Sequence, residues 1–198
     1  MKSIAVIAFL VVAWFVYGRI NAPVTYPPGV LLANDPTQQP PPNEIPFEYG
    51  KFQLKPLATL VLEARILHQK IYRYDRGAAL VPVDLAVGWG RMSDQAVLNR
   101  LKISQSARFY FYEYQLQPPI PREEITSHST NLHLIPSTDE IASRCRSLRT
   151  GELVHLSGLL VEAIGPDIGT WTSSLSRTDS GKGACELVWV EEIHQLVR

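Results

Sequence analysis

The sequence predicts a mainly β domain (α+β, with one or two helices) behind an amino-terminal hydrophobic helix and a proline-rich tether. Three observations predict it. Runs rich in aromatic and β-branched residues recur after residue 57, bounded by glycine or proline as strands are; Ala107–Leu116, Leu153–Ile164 and Cys185–Ile193 are the clearest. Ile4 to Tyr17 is uninterrupted apolar or aromatic sequence, and no charge lies between Lys2 and Arg19. Nine of the fifteen prolines fall between Pro23 and Pro56, which divides the chain into 1–19, 20–56 and 57–198.

The 198 residues make one ordinary domain with about fifty to spare. A hydrophobic share of 45% and a charged share of 19% exclude a disordered acidic chain. Nineteen Lys plus Arg balance nineteen Asp plus Glu, which removes the positive field of a nucleic-acid protein and argues against nucleic acid as partner. Two cysteines build neither a four-ligand zinc site nor a dense disulfide framework, and no cofactor is expected.

One basic residue followed by an apolar run is the layout of a secretory signal. Its sixteen uncharged residues, 3–18, reach about 24 Å as a helix, short of a roughly 30 Å hydrocarbon core. Pro23 blocks cleavage after Ala22, Val16-Tyr17-Gly18 is a mediocre alternative, and Trp14 and Tyr17 suit an interfacial anchor. The expectation is a single-pass inner-membrane protein, held through residues 1–19 with the folded part periplasmic, or a secreted one if the signal is cleaved. Proline fixes φ and lacks a donor, so 20–56 reads as an extended spacer. A ligand for an aromatic groove is the other reading of such a stretch.

In Leu57–Tyr74, Leu60, Leu62, Ala64 and Ile66 alternate with Val61, Glu63 and Arg65, which predicts a strand with a bulge near Leu67–Gln69; a helix is the competing assignment. Asp75-Arg76-Gly77 turns the chain, and Val81–Val87 is a second extended run ending at Gly88-Trp89-Gly90. Ser93-Asp94 opens a helix with Val97, Leu98 and Leu101 as its stripe. In Ala107–Leu116, period two puts Tyr110, Tyr112 and Tyr114 on one face and turns Phe109 and Phe111 to the core. Asn131–Ile135 is a strand stopped by Pro136. Ser137 or Thr138 then caps a helix with Asp139 and Glu140 in its first turn and Ile141, Cys145 and Leu148 on its inner face, closed by Gly151. Leu153–Ile164 and Cys185–Ile193 follow as strands, separated by the Gly- and Ser-rich Gly165–Gly183.

With Ala107–Leu116 taken as the second strand, the order is long strand, excursion, strand, strand, helix, strand, strand. That order resembles an OB-fold, the five-stranded partly open barrel with a helix between its third and fourth strands. The resemblance spans 57–197 and is to small secreted or membrane-anchored bacterial proteins of this fold. It rests on the helix Ser137–Leu148, the strand Val154–Val161, and the closing strand with Glu186 and Trp189. Residues Tyr74 to Ala107 depart from it, because the first two strands should be hairpin neighbours. OB barrels host many activities, so the resemblance implies an architecture and no particular chemistry.

Motifs for chemistry are few. Ser180-Gly181-Lys182-Gly183 has Ser176 where a phosphate loop needs glycine and Gly183 where it needs Ser or Thr. Ser157-Gly158 has His155 where a nucleophile elbow needs glycine. His128, His133 and Asp179 are the weak catalytic candidates; positions five apart on a strand face opposite ways, so no metal is expected. The binding candidates are Tyr110, Tyr112 and Tyr114 as a stacking row, Trp89 between Asp84 and Asp94, and Trp171 with Arg177. Each has a plainer reading: a cross-strand aromatic cluster, or a tryptophan covering the barrel end in an Arg–Asp-braced loop. Cys145 and Cys185 would form a disulfide in an oxidising compartment, or else remain two buried thiols. The expected function is binding or assembly at the envelope, with an envelope protein or small ligand as partner. An envelope hydrolase built on His128, His133 and Asp179 is the alternative.

Overall fold

The computed structural model describes Trp14, Gly18 and residues 22–176 and 184–196. The anchor expected over 1–19 therefore lies outside the described residues apart from Trp14 and Gly18. Among the described residues no helix is long and apolar enough to cross a membrane.

The protein is mainly β, and five of its strands close into a ring. The longest, β3 (Phe52–Ile71), runs for twenty residues because its alternation holds: Leu54, Leu60, Leu62 and Ala64 are buried while Gln53, Lys55, Val61 and Glu63 are exposed. Its register slips between Pro56 and Ala58 and again between Ile66 and His68. The second slip falls where the sequence places a bulge, and Pro56 sits at the first, where a strand tolerates a missing donor. One edge of β3 pairs with β8 (Leu153–Gly165) and the other with β4 (Val83–Gly88), both antiparallel. β4 pairs with β7 (Ser129–Pro136), β7 runs parallel to β10 (Glu186–Gln195), and β10 returns antiparallel to β8.

Leu62, Leu85, Leu132, Leu134, Leu156 and Val188 fill the ring. Helix α3 (Asp139–Ser147) contributes Ile141 and Cys145 to that interior, with Leu148 just beyond it. Thr138 caps the helix by accepting the Ile141 N–H at 3.2 Å. Each large aliphatic side chain buried here stabilises by about 1.5–3 kcal/mol.

The sequence order is corrected at its second strand. Val83–Gly88, not the aromatic run, is the ring neighbour of β3, so the segment that breaks the expected order contains the missing strand. The aromatic run is β6 (Phe109–Tyr114), which pairs with β5 (Leu101–Ser106) as a separate two-stranded sheet. Leu101 opens β5 instead of ending a helix. The helix begun by Asp94 is a single turn, α1 (Gln95–Leu98), preceded by a 3-10 turn at Gly90–Ser93.

The β5–β6 hairpin and α2 (Arg122–Ser127) lie against the outer side of the ring, where Leu67, Ala86, Met92, Val97, Ile120 and Ile125 form a second core. Tyr110 and Tyr112 pack into that core, while Phe109 and Phe111 are 39% and 49% exposed. The expected facing is thus inverted. A tyrosine can bury its ring and still place its hydroxyl on a polar partner, as Tyr110 does with Ser129 Oγ at 3.4 Å.

The proline-rich stretch is extended, as its composition requires, but Val24, Leu31, Leu32 and Thr37–Gln39 hydrogen-bond to the domain. Short strands β1 (Thr37–Gln39) and β2 (Phe47–Tyr49) pair with β3, and the ring strand itself starts at Phe52 rather than Leu57. Arg65, 2% exposed, donates to the carbonyls of Ser93 and Val24, and its guanidinium stands 5.0 Å from the Tyr26 ring. Burial lowers its pKa from the usual guanidinium value. Gly151, at φ +91°, passes so close to Val24 that a Cβ would sit 1.9 Å from the Val24 carbonyl oxygen.

Candidate binding site

The outer face of β4 and β7 carries the polar residues that the ring interior excludes. Asp84, fully buried, and His133, 3% exposed, are cross-strand partners. His133 Nδ1 stands 2.9 Å from Asp84 Oδ1 but makes no hydrogen bond, and Asp84 Oδ2 separately has none among the described residues. What satisfies Asp84 Oδ1 is Arg108, at 3.0 Å. The Arg108 guanidinium also donates to both Asp75 oxygens, at 2.7 and 2.6 Å, and to the Val81 carbonyl at 2.9 Å. It lies 3.7 Å from the Tyr72 ring centroid. Trp171, on β9 (Gly169–Thr172), meets His133 edge-on at 4.7 Å and covers Arg108. Arg108 is therefore a latch between the hairpin turn and the ring, with the Trp171 ring beside it. The brace expected of Arg177 and Asp179 lies outside the described residues; the acids that Arg108 binds are Asp75 and Asp84.

Among the described residues the two histidines singled out in the sequence share no partner. His128 follows α2 and contacts Ser127 Oγ at 2.9 Å, the Glu124 carbonyl at 3.2 Å, and the Trp89 ring at 6.3 Å. Trp89 is itself 1% exposed, with its indole N–H donated to Asp35 Oδ1 at 2.8 Å. Among the described residues no group of three His, Cys, Asp or Glu is placed to hold a metal. Cys145 is buried in the ring core, and burial pushes its thiol up to about 12; Cys185 precedes β10 on the outer side. No disulfide joins them, and the expected bridge is not formed.

Between the hairpin, α2 and the starts of β7 and β10 lies a cavity of about 300 Å³. Trp89, Phe109, Tyr110, Phe111 and Tyr112 give it aromatic walls; Ser129, Thr130, Asn131 and Glu186 bring polar groups together at the other side. Thr130 donates its hydroxyl to Glu186, and Asn131 accepts from the buried Gln105 and donates to the Arg108 carbonyl at 3.2 Å. Burial pushes the Tyr110 phenol up to about 12. An apolar cleft with a few convergent polar groups is the usual form of a small binding site. Of the predicted binding residues, Trp89, Tyr110 and Tyr112 meet here, whereas Tyr114 lines a neighbouring groove with Leu101 and Leu116, and Trp171 stands beside Arg108. The sequence reading missed Ser129 and Thr130, polar residues just ahead of the predicted strand, and Asn131, which opens it, because nothing local shows that they face a cavity. No known protein-family model matches the chain, and no curated protein is significantly similar to it in sequence.

Proposed function

We propose that this chain is a membrane-attached, extracytoplasmic binding or assembly module, folded as an OB-like barrel and using the cavity beside the β5–β6 hairpin as its site. The OB-like assignment is supported by the ring order β3-β4-β7-β10-β8, the parallel β7–β10 pair, and α3 between the third and fourth ring strands. The location rests on the apolar run Ile4–Tyr17. The observation that carries the function is the aromatic cavity of about 300 Å³ on the outer face of the ring. A hydrolase would need His128, His133 and Asp179 in one pocket; the separate partners of His128 and His133 favour the binding reading, and Asp179 lies outside the described residues.

The test compares full-length tagged protein, extracted from its native membrane in mild detergent, with Phe111→Asp. Phe111 is half-exposed at the cavity rim, so the charge alters the site and spares the core. A component retained by the wild type and lost from Phe111→Asp is the expected result; equal retention contradicts the assignment. Protease digestion of spheroplasts, whose outer membrane has been opened, checks the location, with the folded part expected to be accessible from outside the cytoplasm.

A further inference from the structure

Ala107 and Arg108 form the two-residue turn of the hairpin, both in the left-handed region with φ 48° and 70°. Such a turn makes the flanking pair, Ser106 and Phe109, exchange both hydrogen bonds, and the bonded pairs then alternate along the ladder. With the observed register, Phe109, Phe111 and Glu113 bond to β5. The N–H and C=O groups of Tyr110, Tyr112 and Tyr114 point the other way. Among the described residues β6 pairs with no strand but β5, and none of these groups makes a backbone hydrogen bond outside its own sheet. An unpaired edge of this length is a template for another strand.

That edge opens onto a groove. The aromatic cavity and an adjoining hollow of about 770 Å³ share Tyr112, Thr126 and Ser127, so together they border β6 from Phe109 to Tyr112 with α2 as the opposite wall, while Glu113 and Tyr114 continue the edge onto a neighbouring groove. A strand edge facing a helix across a groove accepts an extended peptide: main-chain bonds give affinity, and pockets for alternate side chains give specificity.

We propose that β6 binds an extended segment of another polypeptide as an added strand, with an apolar side chain of that segment seated in the 300 Å³ cavity. This rests on the binding reading above and names its partner class. A backbone is the committed occupant because the unmet groups recur at every second residue, the spacing at which another strand presents its own donors and acceptors.

The experiment selects peptides from a displayed random heptapeptide library against the full chain in detergent micelles. Amide exchange of the wild type is then followed by NMR with and without a selected peptide. Strand addition requires exchange at Tyr110, Tyr112 and Tyr114 to slow by about tenfold or more, while Phe109, Phe111 and Glu113, already bonded, change little. Tyr112→Pro removes one edge donor and leaves the β5 ladder intact, so it should weaken the peptide by about tenfold beyond Tyr112→Ala. If Tyr112→Pro fails to fold, the exchange pattern alone decides. Selected peptides that bind, depend on Phe111, and leave those three amides unprotected overturn strand addition and keep the cavity as the site. Failure to select any peptide also overturns strand addition, as does protection that appears with protein concentration alone, which assigns the edge to a second copy. Peptide binding indifferent to both Phe111→Asp and Tyr112→Pro overturns both readings.

Discussion

Replacing Arg108 by alanine should undock the hairpin and cost more than any exposed charge would. The guanidinium is 15% exposed and bonds Asp84, whose side chain is fully buried, together with Asp75, whose side chain is 39% exposed. The outer pair with Asp75 contributes no more than about 1 kcal/mol. The inner pair decides the outcome: removing one partner of a buried pair costs about 3–5 kcal/mol, because the remaining charge stays buried. Among the described residues Asp84 Oδ2 and His133 Nδ1 have no hydrogen bond, so neither compensates. Taking the lower end because the guanidinium reaches solvent, Arg108→Ala should lose about 3 kcal/mol, or about 6–12 °C in Tm for a domain of this size. Urea denaturation of Arg108→Ala, Asp84→Asn and the double variant measures it. The double variant should recover about 2 kcal/mol of coupling. A loss below about 1 kcal/mol, or strict additivity with Asp84→Asn, would refute the latch.

Three further outcomes are expected. The Tyr110 phenol, held up to about 12 chiefly by burial, titrates near 10 in the unfolded chain. The folded state keeps that proton longer, so its stability contribution is complete below about pH 10 and is lost as pH rises through about 12, a fall of about 2–3 kcal/mol that Tyr110→Phe should flatten in alkaline denaturation curves. Iodoacetamide should modify Cys185 in the native protein and reach Cys145 only after denaturation, since Cys145 is fully buried with its thiol pushed up to about 12; peptide mass mapping reads this directly. Gly158→Ala should destabilise by about 2 kcal/mol or more in the same urea assay, because its Cβ would lie 2.0 Å from the Trp189 carbonyl oxygen at the β10 irregularity.

Legibility followed burial. Where one face of an element meets the ring interior, as in β3 with its slip near Leu67 or α3 behind Thr138, period and cap residues place it within a few residues. β4 was visible as an extended run, but nothing local distinguishes a ring strand from an excursion when it is buried on both faces. β5 was lost because Val97, Leu98 and Leu101 match a helical stripe, while the turn that ends the helix carries no glycine or proline. The same holds at Ala107–Arg108, a left-handed turn made by two residues that seldom adopt it. Helix α2 left a usable trace in Pro121 followed by Arg122, Glu123 and Glu124, acidic residues in a first turn. The site was half legible: its aromatics stand out in sequence, but which face they present depends on a hairpin packing against a distant strand.

Site-specific photo-crosslinking in the native membrane tests the central claim most directly. Benzoylphenylalanine is placed at Phe111, on the cavity rim, and separately at Ile45, which is 72% exposed in the amino-terminal segment. The proposed site predicts one discrete adduct from Phe111 and none from Ile45, with the Phe111 adduct suppressed by Tyr112→Pro. Equal labelling from both positions, or no adduct from Phe111 where Ile45 gives one, would contradict it.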